Sequence, residues 1–155
     1  MPPSLLPSSP APSPVAYRLP LSPRVPLVKL DTVIAARGEN SHIIEKYVDR
    51  GRLCWVFNVS VKLKGIRDLR FWTREISAFA SAQRDELAAI HAADVRSVLN
   101  EILGDRAEFQ PGDICLLLGI RRPTLMRLRA ELLATRQQCF PRAGLERFLK
   151  RRLLP

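Results

Sequence analysis

The sequence predicts a mainly α-helical chain of two similar units in tandem, each a pair of short helices joined by a tight turn, the first followed by a β-hairpin. Three observations lead there. Short apolar stripes at helical spacing, punctuated by capping residues and glycines, occur over 27–80 and again over 105–155. Between the helices of the first set, Trp55, Phe57, Val59 and Val61 alternate as a half-buried strand requires. The second half then restates the apolar positions of the first in the same order.

Nine of the 13 prolines fall within residues 1–26. Such a stretch can neither propagate a helix nor bury an apolar face. It is expected to be a disordered proline-rich arm of polyproline II character, serving as a linker or as a docking strip for a partner. Structure should begin near Leu27. Residues 30–38 read as a short helix with Asp31 or Thr32 as N-cap and Gly38 as its stop. Asn40 or Ser41 caps a second helix over 42–50, closed by Gly51, on which Ile44, Tyr47 and Val48 form one apolar face. A strand over 53–61, a turn over 62–65, a return strand over 66–71 and a helix capped by Thr73 complete the first unit, 27–80.

Residues 85–103 read as one amphipathic connecting helix within 81–104, closed by Gly104. Its stripe of Leu87, Ile90, Val95, Val98, Leu99, Ile102 and Leu103 either packs on the two units or forms a dimer seam.

The internal repeat appears when Gly119 is set on Gly38, which places Leu125 on Ile44 and Leu128 on Tyr47. Further on, Phe140 falls on Phe71, Leu145 on Ile76 and Phe148 on Phe79. The offset drops from 81 to 69, so twelve residues are lost where the hairpin lies. The second unit, 105–155, therefore has a reduced wing or none.

Asn40-Ser41-His42-Ile43-Ile44-Glu45-Lys46-Tyr47-Val48-Asp49-Arg50-Gly51-Arg52-Leu53 resembles the recognition helix and following Gly-basic-Leu of the excisionase/MerR-type winged helix-turn-helix. Thr124-Leu125-Met126-Arg127-Leu128, followed by 140–148, is similar to the same family. The resemblance covers 27–80 and 110–152 and rests on caps, apolar positions and one glycine. It implies tandem winged helix-turn-helix units that bind DNA, in a transcription regulator or a recombination directionality factor (excisionase) of a bacterium or mobile element. Two departures stand out. The first recognition helix mixes Glu45 and Asp49 with its basic residues, and the second lacks a counterpart of Gly51 and sets Arg129 on Val48.

Charge agrees with a polyanionic partner. The net charge of +10 divides into +2 over 1–26, +4 over 27–80, −3 over 81–110 and +7 over 111–155, so two basic segments flank an acidic one. A recognition helix reads base edges in the major groove through its N-terminal side chains. In the first unit these are Ser41, His42, Glu45 and Lys46; in the second, Arg121, Arg122, Thr124 and Arg127, where Arg can hold guanine bidentately. For each residue the alternative is a solvated helix face. Lys62, Lys64, Arg67 and Arg70 surround the hairpin turn, where a wing meets phosphate or the minor groove. Lys150, Arg151 and Arg152 either add phosphate contacts or complement a helix dipole.

No nucleophile elbow, phosphate loop or metal-ligand spacing is present, so neither catalytic residue, metal nor cofactor is assigned and no enzymatic activity is expected. His42 and His91 read as ordinary surface side chains, and Cys54, Cys115 and Cys139 as buried free thiols. Neither a signal peptide nor a membrane helix is evident, which favours a cytoplasmic, nucleoid-associated protein without membrane contact. Double-stranded DNA is the expected partner, with RNA polymerase or an integrase as the protein partners the resemblance suggests, and a homodimer if the stripe is a seam. A reading from another class is a protein-interaction adaptor built on winged helices without DNA readout. RNA ranks below both, since aromatics make up 6% of residues and no stacking platform is apparent.

Overall fold

A computed structural model describes residues 25–62 and 68–154. The first half runs β1 (Leu27–Lys29), α1 (Leu30–Arg37), α2 (Ser41–Asp49), β2 (Val56–Asn58), β3 (Leu69–Trp72) and α3 (Thr73–Ala80). Two connecting helices follow, α4 (Arg84–Ala92) and α5 (Val95–Leu103). The second half runs β4 (Glu108–Phe109), α6 (Pro111–Leu118), α7 (Arg122–Leu128), β5 (Phe140–Pro141) and α8 (Arg142–Arg152). The fold is mainly helical with two small antiparallel sheets.

Both α1 and α6 stop on a glycine in the left-handed conformation, Gly38 at φ 67° and Gly119 at φ 62°. A side chain with a Cβ would be strained there, which is why glycine ends these helices. Asn40 caps α2, its Oδ1 accepting from the Ile43 amide at 3.0 Å. The expected cap at Asp31 or Thr32 is not formed. The N-cap position falls at Lys29, because β1 carries extended backbone straight into the helix, and Asp31 and Thr32 lie inside α1. Thr73 is likewise not a cap but the first residue of α3, and its hydroxyl donates to the Val25 carbonyl at 2.5 Å.

β3 lies between β1 and β2, with Val28 and Val56 both in register with Phe71. Alternating side chains leave the two faces of this sheet in different cores. Val28, Val56, Leu69 and Phe71 pack with Val33, Ile44, Val48 and Ile76. Leu27, Trp55, Phe57, Val59 and Trp72 pack instead with Phe109, Ile114, Leu118, Leu125, Phe140 and Phe148 of the second half. The expectation of a half-buried strand over 53–61 is corrected accordingly. The paired segment is only Val56–Asn58, it is buried on both faces, and Val61 is exposed. Among the described residues the return strand runs Leu69–Trp72; residues 63–67 lie outside the described residues, as do residues 1–24 of the expected arm.

The single helix expected over 85–103 is two helices. Ala93 is extended, and Asp94 caps α5 by accepting from the Ser97 amide at 2.7 Å. An Asp side chain that can satisfy a free helix N–H competes with continuing the helix. The stripe packs within the chain, with Ile90, Val98, Leu99, Ile102 and Leu103 buried in the larger core.

The second half reproduces the pairing of the first. Phe109 pairs with Phe140 where the 81 and 69 offsets place Val28 and Phe71, which pair in the first half. The Thr73 amide donates to the Pro26 carbonyl at 2.8 Å, and the equivalent Arg142 amide donates to the Ala107 carbonyl at 2.9 Å. No counterpart of β2 occurs among the described residues of the second half. The chain end instead joins the edge of β2 itself, Leu153 bridging Phe57 and the Leu154 amide donating to the Val56 carbonyl at 2.9 Å.

Candidate nucleic-acid interface

α2 buries Ile44 and Val48 in the smaller core, which turns Ser41, His42 and Lys46 to solvent and leaves Glu45 half-buried. A tilted aromatic pair and two cation–π contacts tie α1, α2 and α3 together. Tyr47 and Phe79 lie 5.1 Å apart, Arg37 sits 4.7 Å over Phe79, and Arg52 lies 5.2 Å from the Tyr47 ring. Such contacts fix the pitch of α2 without using its outward face.

α7 buries Leu125 and Leu128 in the larger core. Arg121, Arg122 and Arg127 are exposed and Thr124 is half-buried. None of the three arginines is in an ion pair among the described residues. The four candidates on α2, and Arg121 with the three on α7, therefore form two groups, anchored in cores on opposite faces of the central sheet.

Arg70 joins the halves. Expected beside the wing as a phosphate contact, it is buried, 3% exposed, with its guanidinium directed at the turn between α6 and α7. Its Nε donates to the Leu118 carbonyl at 2.6 Å and its Nη2 to the Gly119 carbonyl at 2.9 Å, while Asp68 accepts from Nη1 at 2.5 Å. The last carbonyls of α6 have no partner within the helix, so an arginine from the first half satisfies them. With its donors engaged inside the fold, Arg70 has no phosphate to meet.

Arg152 is corrected for the same reason. It is buried, pairs with Glu131 and donates to the Asn58 and Ser60 carbonyls. The bond from Arg152 holds the Glu131 carboxyl below its ordinary pKa. Lys150 and Arg151 remain exposed, as does Lys62, while Lys64 and Arg67 lie outside the described residues.

A second grouping escaped the sequence reading. Glu75, in the first turn of α3, is fully buried and accepts from the Cys54 amide at 2.9 Å and the Trp55 amide at 3.1 Å. His91 Nε2, from the last turn of α4, stands 2.9 Å from Glu75 Oε2. His91 is thus a partner of a buried carboxylate rather than an ordinary surface side chain. Burial pushes the Glu75 carboxyl above its usual range, and burial with the neighbouring Glu75 charge raises the Cys54 thiol. All three cysteines are free and half-buried rather than buried. Separations of 21 and 16 residues match no ligand spacing, so only the folded chain brings these groups together.

No helix among the described residues is long and apolar enough to cross a membrane. Comparison with models of known families, with curated proteins and with solved structures finds no match.

Proposed function

We propose that the chain binds double-stranded DNA sequence-specifically through two tandem winged helix-turn-helix units, with α2 and α7 as recognition helices. The observation that carries this reading is α7: Arg121 at its N-cap and Arg122 and Arg127 on it stand exposed and outside any ion pair among the described residues, on a helix whose other side is fixed in the core. Arginine forks suit guanine edges and phosphate, and a segment at +7 attracts the duplex before contact. On α2, His42 and Lys46 offer base contacts while Glu45 and Asp49 oppose phosphate, so α7 carries more of the affinity. Lys150 and Arg151 add phosphate contacts from the last turn of α8. Support for two related units comes from the repeated register, Val28 with Phe71 and Phe109 with Phe140. By the resemblance, the biological consequence is regulation of transcription or of recombination direction, in the cytoplasm at the nucleoid, with an integrase or RNA polymerase as protein partner.

Selection of a preferred duplex from a random pool, followed by anisotropy titrations at several salt concentrations, tests the proposal. Affinity should fall steeply with salt and drop further when Arg122 and Arg127 are both replaced by Ala. A folded chain that enriches no sequence and shows no salt-dependent duplex binding overturns it. One observation favours the adaptor reading: Leu116 is 78% exposed and lines an apolar groove with Val25, Ile102 and Phe109. Survival of partner binding in the double arginine variant would distinguish that function from DNA readout.

A further inference from the structure

We propose that Cys54, Glu75 and His91 form a binding site for a single divalent transition-metal ion of the zinc type. Their ligand atoms, one sulfur, one carboxylate oxygen and one imidazole nitrogen, all lie within 4.8 Å of one another. They come from three segments: the loop leaving α2, the first turn of α3 and the last turn of α4. Sulfur, nitrogen and oxygen together suit Zn²⁺, which accepts all three donors and takes a solvent molecule as its fourth ligand when a protein supplies three.

The distances are close to those a tetrahedral ion imposes. Zinc–ligand bonds of about 2.0–2.3 Å place neighbouring ligand atoms about 3.4–3.6 Å apart. The His91–Glu75 contact of 2.9 Å must open by a fraction of an ångström and the Cys54 sulfur must swing inward. Cys54 lies at the margin of the larger core, where its Sγ donates to the Gly51 carbonyl at 3.3 Å, and the His91 side chain is 31% exposed, which opens the site to solvent on that side.

The carboxylate is already oriented as a ligand. Two backbone amides, from Cys54 and Trp55, donate to its oxygens and fix the plane of the group, the role that outer hydrogen bonds play around metal ligands. A fully buried carboxylate facing only one imidazole is also short of positive charge, and a divalent ion supplies it. On binding, the thiol proton leaves to solvent, and the proton held between His91 Nε2 and Glu75 is displaced as well, the neutral ring keeping its hydrogen on Nδ1 so that the Nε2 lone pair faces the ion.

Cobalt(II) reports the site directly, because a cobalt–thiolate bond gives a charge-transfer band in the near ultraviolet. The full chain, reduced and free of metal, is titrated with Co²⁺, and the resulting complex is then titrated with Zn²⁺. One equivalent should produce the band and Zn²⁺ should remove it. Cys54→Ser should abolish the band, while the paired change of Cys115 and Cys139 to Ser should leave it intact. His91→Gln should weaken Co²⁺ binding by about tenfold or more. Zn²⁺ should also raise the melting temperature of the full chain but not of Cys54→Ser, as expected of a ligand that binds only the folded state. No charge-transfer band, or a band that survives Cys54→Ser in a chain with an unchanged circular dichroism spectrum, overturns the site.

Discussion

The guanidinium of Arg152 grips the carboxylate of Glu131 with two hydrogen bonds, Nε to Oε2 at 3.0 Å and Nη2 to Oε1 at 2.7 Å. The remaining nitrogen reaches back to the Asn58 and Ser60 carbonyls, so one side chain at the end of α8 ties the loop after α7 to the edge of the first-half sheet. Removing it strands the Asn58 carbonyl in a buried setting and takes the cation from the partly exposed Glu131 and Ser60 acceptors. Arg152→Ala should lower stability by about 2–3 kcal/mol, with Glu131→Gln costing less because Glu131 retains access to solvent. Urea unfolding of both variants measures this, and equal midpoints for Arg152→Ala and the parent chain would refute it.

The same pair sets a pH dependence. Arg152 lowers the folded-state pKa of Glu131 below its unfolded value. A depressed carboxyl contributes stability that is full above the unfolded pKa, near 4.3, and is lost as pH falls through the folded value. The stability gap between the parent chain and Glu131→Gln should therefore be widest near neutral pH and close below about pH 4. A gap that widens on acidification would contradict the assignment.

Glycines distinguish backbone conformation from space. Gly51 has φ +72° with nothing within 4 Å of an added Cβ, so Gly51→Ala should cost only about 1 kcal/mol of left-handed strain. At Gly119 an added Cβ would meet Lys29 Cε at 3.0 Å and Arg70 Nε at 3.1 Å, and Arg70 is held by its own hydrogen bonds. Gly144 is ordinary helix in φ, yet its Cβ would lie 2.2 Å from the Leu132 carbonyl oxygen. Gly144→Ala should be the most damaging of the three, costing about 3 kcal/mol, the upper end for overpacking. Thermal melts that rank Gly51→Ala as the worst would show that conformation, rather than close approach, dominates.

Helix ends were legible in the sequence where a local rule decides them. Gly38, Gly119 and Asn40 act on their own backbone, and their effect is visible within four residues. The repeat was legible for the same reason, since Ile44 and Leu125 answer to the same helical period. Burial of charge was not. Arg70 and Arg152 stand in basic runs beside lysines that do face solvent, and only a second half folded over the first-half sheet tells them apart. The break at Asp94 was hidden because the apolar period continues through it, and a cap outweighs period only when tertiary packing permits the bend. Glu75 drew no reading of its own, since nothing local reveals that the Cys54 and Trp55 amides would reach it.

The last prediction separates base readers from phosphate anchors under the proposed function. Arg127 projects from the outer side of α7, while Lys150 and Arg151 sit at the far end of α8, where a helix end meets backbone rather than base edges. Loss of a bidentate base contact removes discrimination; loss of a phosphate contact removes counterion release and leaves sequence preference alone. Arg127→Ala should therefore cost about 1–3 kcal/mol on the preferred duplex and relax selection at one base position. Lys150→Ala should weaken preferred and scrambled duplexes alike and flatten the slope of log K against log salt by about one unit. Anisotropy titrations of both variants against both duplexes, over a series of salt concentrations, give all four quantities. Equal losses on the two duplexes for Arg127→Ala would reassign it as an anchor, and the reading face would then have to be sought at Arg121 and Arg122.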